Sequence, residues 1–97
     1  MRNSFLIITI LIYVQSYAQT IDSKFAIAEA NKSYEIGDYK ESIEKYNSAN
    51  KLDTSNNISF FNAGNAAFMN DEFEEANNYY NEYLNQTVND NEKAEAL

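Results

Sequence analysis

Residues 37–43 read Gly-Asp-Tyr-Lys-Glu-Ser-Ile, and this stretch decides the fold. Gly37 ends one helix, because glycine enters the left-handed region without a Cβ clash. Asp38 opens the next one: its carboxylate can accept a backbone N–H of the first turn, and Glu41 stands three residues on as a capping-box partner. Beyond this corner Tyr39, Ser42, Ile43, Tyr46 and Ala49 recur at helical spacing and form one buried stripe. The stretch therefore predicts two helices, over about residues 22–36 and 39–52, joined by a sharp turn.

The corner returns further along the chain. Residues 23–56 laid over 57–90 give four identities: Asn31/Asn65, Glu41/Glu75, Tyr46/Tyr80 and Asn47/Asn81. Pairs of like size and character add Ala30/Gly64, Tyr34/Phe68, Tyr39/Phe73 and Ser42/Ala76. The pattern of small and aromatic residues outweighs the identities, because packing needs those sizes at those places. A period of 34 residues signals stacked supersecondary units. The second unit predicts helices over about 58–70 and 73–85. Phe60, Gly64, Ala67 and Phe68 mark the inner face of the first; Phe73, Ala76, Tyr80 and Tyr83 mark that of the second. Asp71 stands where Gly37 stood and can enter the left-handed region only at some cost. Glu72 replaces Asp38 and is a poorer cap. Residues 91–97 look like the opening turns of a third unit, with Asn89 and Glu92 as a capping pair.

Residues 1–18 read as a separate object. Arg2 precedes an apolar run of ten residues, Phe5 to Val14. A bilayer-spanning helix needs ~20 residues, whereas the apolar part of an export signal needs ~7–15 followed by a small-x-small cleavage site. Ser16-Tyr17-Ala18 fits that site, so cleavage is expected between Ala18 and Gln19, leaving residues 19–97 as the mature domain. An uncleaved N-terminal anchor is the alternative. The expected destination is the bacterial periplasm or cell envelope, with no membrane span after cleavage.

Composition removes most chemistry. The 97 residues contain no Cys, His, Pro or Trp. There is no disulfide, no thiolate nucleophile, no imidazole base and no zinc site of the usual kind. The net charge of −8 becomes −9 once Arg2 is removed, which disfavours nucleic acid, since phosphate neutralisation requires Lys and Arg. Asp71, Glu72, Glu74 and Glu75 are acidic neighbours, but they lack the spacing of a calcium loop and read as a solvated helix N-terminus. The Ser and Thr residues have neither an activating His nor a strained nucleophile elbow. No enzyme activity, cofactor or metal is expected.

The residues that carry the repeat, Gly37-Asp38-Tyr39-Lys40-Glu41-Ser42-Ile43 with Tyr46 and Ala49, then Phe60, Gly64, Phe68, Phe73, Ala76 and Tyr80, resemble the tetratricopeptide repeat (TPR) family. The resemblance covers about residues 23–90. It implies an all-α, helix-turn-helix TPR solenoid with two full repeats, 23–56 and 57–90, and a partial third at 91–97. Thr54 and Val88 stand where such units usually close with a proline, and Tyr83 stands where the family has a small residue. The structural positions of the repeat are Ala30, Gly37, Tyr39, Tyr46, Gly64, Phe73, Ala76 and Tyr80.

The resemblance implies a protein-interaction scaffold whose concave groove is lined by the first helix of each unit. Its groove positions correspond to Lys24, Ile27, Asn31, Tyr34 and Glu35, then Ile58, Phe61, Asn65, Phe68 and Met69. Asn31 and Asn65 can donate to and accept from a peptide backbone. Phe61, Phe68 and Met69 add an adaptable apolar surface. Tyr34 and Phe68 read equally well as packing within their own units. One ligand class of the family, the chaperone-tail carboxylate clamp, maps onto Ile27, Asn31, Asn62, Glu92 and Ala96. Both Asn are there and all three cations are missing, so that ligand is rejected. The expected partner is a protein segment, preferably basic. The competing expectation is a spacer or oligomerisation module of a larger envelope protein, self-associating through Tyr79-Tyr80-x-x-Tyr83.

Overall fold

The computed structural model describes residues 2–96; the side chains of Arg2, Ser16, Gln19, Thr20 and residues 92–96 lie outside that description, as does Leu97 of the expected third unit. The chain is all-α: α1 (Arg2–Glu35), α2 (Tyr39–Leu52), α3 (Ile58–Met69) and α4 (Phe73–Ala96). Each helix packs on its neighbour in the chain, α1 on α2, α2 on α3 and α3 on α4.

Both corners close in the same way. Gly37 has φ +85° and Asp71 has φ +61°, so both occupy the left-handed region. The Gly37 N–H donates to the Tyr34 carbonyl at 3.0 Å and the Asp38 N–H to the Ser33 carbonyl at 2.9 Å. Thirty-four residues on, the Asp71 N–H donates to Phe68 at 3.1 Å and the Glu72 N–H to Ala67 at 2.9 Å. This is the Schellman pairing, which satisfies the last carbonyls of a helix. The caps differ. Asp38 accepts the Glu41 N–H at 3.3 Å, whereas the Glu72 carboxylate accepts from the Asn70 amide at 3.1 Å. The reciprocal half of the expected capping box does not form, because the Asp38 N–H is already committed to Ser33 and the Glu41 carboxylate pairs with Lys45 at 3.2 Å.

Small side chains build the core. Ala30, Ala49, Ala63, Ala66 and Ala67 are fully buried, and Ala76 nearly so. Ile43 and Tyr46 fill the space between them, with Tyr34, Tyr39, Tyr79 and Tyr80 packed against the margins. The repeat positions Ala30 and Gly64 each serve a ring. Ala30 shares a cluster with Tyr46, and a Cβ on Gly64 would come within 2.6 Å of Tyr80 Cε1. Tyr39 and Phe73 also behave as equivalents, packing edge-on to Tyr34 at 5.4 Å and to Phe68 at 5.3 Å. Two buried serines bond across the helices of the first hairpin: Ser42 donates to the Ala30 carbonyl and Ser23 to the Ala49 carbonyl, both at 3.0 Å.

Two helix boundaries differ from the sequence reading. The first helix does not begin near residue 22; α1 runs unbroken from Arg2, so the expected cleavage point lies inside a continuous helix. No Gly or Pro occurs before Gly37 to stop it. Its early residues, Phe5 to Val14, are exposed, and the first buried residue among those described is Ser23. Nor does the last helix end near residue 85 with a new one at 91. Asn89 and Glu92 lie within α4, again because no breaker interrupts the stretch. The Thr87 hydroxyl donates to the Tyr83 carbonyl at 2.9 Å, so it bonds back into the helix rather than capping a new one. Among the described residues no helix is long and apolar enough to cross a membrane.

The turns and the ring contact give substitutions of opposite sign. Gly37→Ala should cost ~1–2 kcal/mol, whereas Asp71→Gly should gain up to about 1 kcal/mol, the relief being partly offset by glycine's chain entropy. Gly64→Ala should cost ~1–3 kcal/mol through overpacking against Tyr80. Urea midpoints on the three variants measure all three signs.

Candidate functional site: a polar cleft between the two hairpins

Two of the four identities of the 34-residue repeat meet in space. Asn31 on α1 and Tyr46 on α2 are fifteen residues apart, as are Asn65 on α3 and Tyr80 on α4. In each hairpin the tyrosine hydroxyl donates to the asparagine Oδ1: Tyr46 to Asn31, and Tyr80 to Asn65 at 2.6 Å. The ring must cross from the second helix to the first to make this bond. It can do so because a small residue, Ala30 or Gly64, precedes each asparagine.

Asn31, Tyr34, Tyr46, Asn62 and Asn65 line one cleft of about 230 Å³. Helices α1, α2 and α3 all contribute, so stacking of the hairpins creates it. A phenol that donates requires an acceptor, so the bond points Oδ1 of Asn31 and Asn65 at the tyrosines. The Nδ2 hydrogens of both asparagines have no bonding partner among the described residues. The cleft thus offers hydrogen-bond donors held in fixed positions.

Burial raises the Tyr46 pKa above its ordinary value; a hydrogen bond with the Ser42 hydroxyl works the other way, and the Tyr34 phenol and Glu35 carboxylate push it up further. Tyr80 is also raised, by burial first and then by Tyr34. Both phenols therefore keep their proton, and their donor role, beyond the usual tyrosine range.

The expected groove residues divide. Asn31, Tyr34 and Asn65 come together in the cleft. Ile27 packs with Ala30, Tyr46 and Ala63 instead. Phe61 turns to the α4 end of the stack, where it lines a second cleft with Tyr80, Tyr83 and Leu84. Phe68 and Met69 are about half exposed at the end of α3, and the Phe68 ring rests on Phe73. Lys24 and Glu35 are exposed. Of the carboxylate-clamp positions, Asn31 and Asn62 share the cleft, while the side chains of Glu92 and Ala96 lie outside the described residues. Sequence reasoning left Tyr46 out of the cleft. The signal was there: Asn31/Asn65 and Tyr46/Tyr80 are both identities, at one constant separation. Tyr79, part of the expected self-association surface, is committed inside: its hydroxyl accepts from the Asn47 amide at 2.8 Å, tying α4 to α2. Among the described residues no group of three or more acidic side chains is placed to hold a metal ion.

Tyr46→Phe and Tyr80→Phe should each cost about 0.5–1.5 kcal/mol, read from urea unfolding. The raised phenol pKa values also set the alkaline limit. A group that titrates higher when folded supports the fold fully below the unfolded value, near ~10, and loses that support as pH climbs through the folded value. Thermal melts should hold steady up to that point and then fall, and the double Phe variant should fall less steeply. No protein-family model matches this chain and no curated protein does; what the cleft can hold has to follow from its own residues.

Proposed function

We propose that this chain is an exported scaffold of the tetratricopeptide kind that captures an extended segment of a partner protein in the Asn31–Asn65 cleft. The observation that carries the reading is the paired tyrosine–asparagine bond. It occupies the amide oxygens and leaves the amide N–H groups to meet backbone carbonyls, the one acceptor every peptide presents at regular intervals. At about 230 Å³ the cleft is below the ~300–1,000 Å³ range of small-molecule sites, which favours a short run of chain over a cofactor. The matching corners and the packing of small residues on rings at a 34-residue period support the repeat assignment. The acidic charge steers a basic partner toward the surface without needing a direct ion pair.

Export is supported by where packing begins. Phe5 to Val14 lie exposed and the first buried residue described is Ser23, so cleavage after Ala18 would leave the packed hairpins intact. Expression of the whole chain in a bacterial host should yield periplasmic protein with Gln19 at its N-terminus. Intact mass distinguishes this from the uncleaved form, which would keep the whole apolar run.

Linear peptides selected from a random library against the protein provide the binding test. Asn31→Ala with Asn65→Ala should weaken capture by about tenfold or more, corresponding to two lost hydrogen bonds, while circular dichroism stays unchanged. Undiminished binding by the double variant would refute the cleft as the site. A spacer or oligomerisation role in an envelope assembly is the second reading, favoured by the aromatic residues of α4, Tyr80 and Tyr83, which line an open apolar cleft with Phe61 and Leu84.

A further inference from the structure

The charges around the Asn31–Asn65 cleft do not cancel. Lys32 is paired with Glu29 and Lys45 with Glu41, each at 3.2 Å. Glu35, the last residue of α1, is exposed and makes no ion pair among the described residues. It stands four residues after Asn31, one turn further along the same side of the helix. Burial is the main reason the Tyr46 phenol titrates high, and the Glu35 carboxylate adds to it. That carboxylate therefore lies within electrostatic reach of the hydroxyl that donates to Asn31. Helical spacing and electrostatics agree in placing it at the mouth of the cleft. Among the described residues lining the cleft there is no Lys or Arg. Lys24 stands eleven residues before Glu35, about 16 Å along the helix axis. That is beyond the ~8–10 Å over which an exposed charge acts in ordinary salt.

We propose that Glu35 is the specificity residue of this cleft: the captured segment carries a lysine or arginine that pairs with Glu35 while its backbone carbonyls meet Asn31 and Asn65. The inference rests on the reading of the cleft as a peptide site and adds what net charge cannot supply. Steering by the whole acidic surface speeds encounter with any basic partner. An unpaired carboxylate at the mouth fixes where in the segment the basic residue stands. A lysine ammonium brings three donors and no acceptor. Glu35 offers the charge, and the Tyr34 hydroxyl and Asn62 amide line the cleft with oxygens that accept no hydrogen bond among the described residues. The second hairpin has no counterpart, because Met69 occupies the place of Glu35 one period on. The charge thus marks the α1 side and gives the segment one register. An acidic segment would meet Glu35 with no cation on the described cleft wall to compensate.

The test selects random linear heptapeptides in parallel against the parent chain, Glu35→Gln and Glu35→Lys. Peptides retained by the parent should be enriched in Lys and Arg at one position relative to the unselected library. The enrichment should vanish with Glu35→Gln and turn to Asp and Glu with Glu35→Lys. Peptides synthesised from the parent selection should bind Glu35→Gln about two- to fivefold more weakly. Norleucine in place of their basic residue should weaken binding to the parent by a similar factor and leave binding to Glu35→Gln unchanged. Glu44→Gln removes the same charge from the exposed face of α2 and should alter neither enrichment nor affinity. Glu35 is exposed at a helix end, so circular dichroism of its variants should match the parent. Equal basic enrichment against Glu35→Gln, or an equal loss with Glu44→Gln, would overturn the proposal in favour of general steering and leave the cleft as the site. Peptide binding that ignores Asn31→Ala with Asn65→Ala would remove the cleft reading itself, and this inference with it.

Discussion

A tyrosine lying across a small residue and donating to the asparagine beside it is the interaction on which the other features depend. Gly64 lets the Tyr80 ring close onto α3, and the hydroxyl then reaches Asn65. Ala30, Tyr46 and Asn31 repeat the arrangement between α1 and α2. The ring fixes the spacing of the two helices, and the hydroxyl fixes the orientation of the amide. Helix packing and the orientation of the cleft amides are therefore coupled through one side chain per hairpin. The core otherwise consists largely of alanines, which bury little apolar surface each. Close approach of the helices, rather than bulk, has to hold the hairpins together.

Most of the fold was legible because its determinants are local. Gly37 and Asp71 in the left-handed region, Asp38 at a helix start and the small-on-ring pairs are all visible as residue types at fixed spacing. The helix ends that escaped notice lack such punctuation. Residues 2–36 and 85–96 contain neither Gly nor Pro, so nothing marks a stop, and periodicity shifts by itself do not break a helix. The apolar run Phe5 to Val14, the small residues at 16 and 18 and the Asn89/Glu92 pair point to separate segments, but none of them breaks a helix.

The cleft was half legible. Asn31 and Asn65 stood out as identities, but their partners were assigned to the core alone, because an aromatic on a helix face usually packs. Tyr46 does pack, and its hydroxyl still reaches the cleft rim. A side chain with an apolar body and a polar tip can serve both places. Phe61 shows the converse. It stands one turn before Asn65 on α3, but its ring packs on Tyr80 and Tyr83 of α4, so membership of the same helix did not bring it to the same cleft.

The principal contacts join only helices adjacent in the chain. Few distant segments must find one another, which gives a low contact order and makes fast folding the expectation. Either hairpin can nucleate first, and order spreads from it to the other. Stability should be graded rather than uniform, highest where α2 and α3 are each flanked on both sides. Amide protons there should exchange last, while the outer helices open from their free faces.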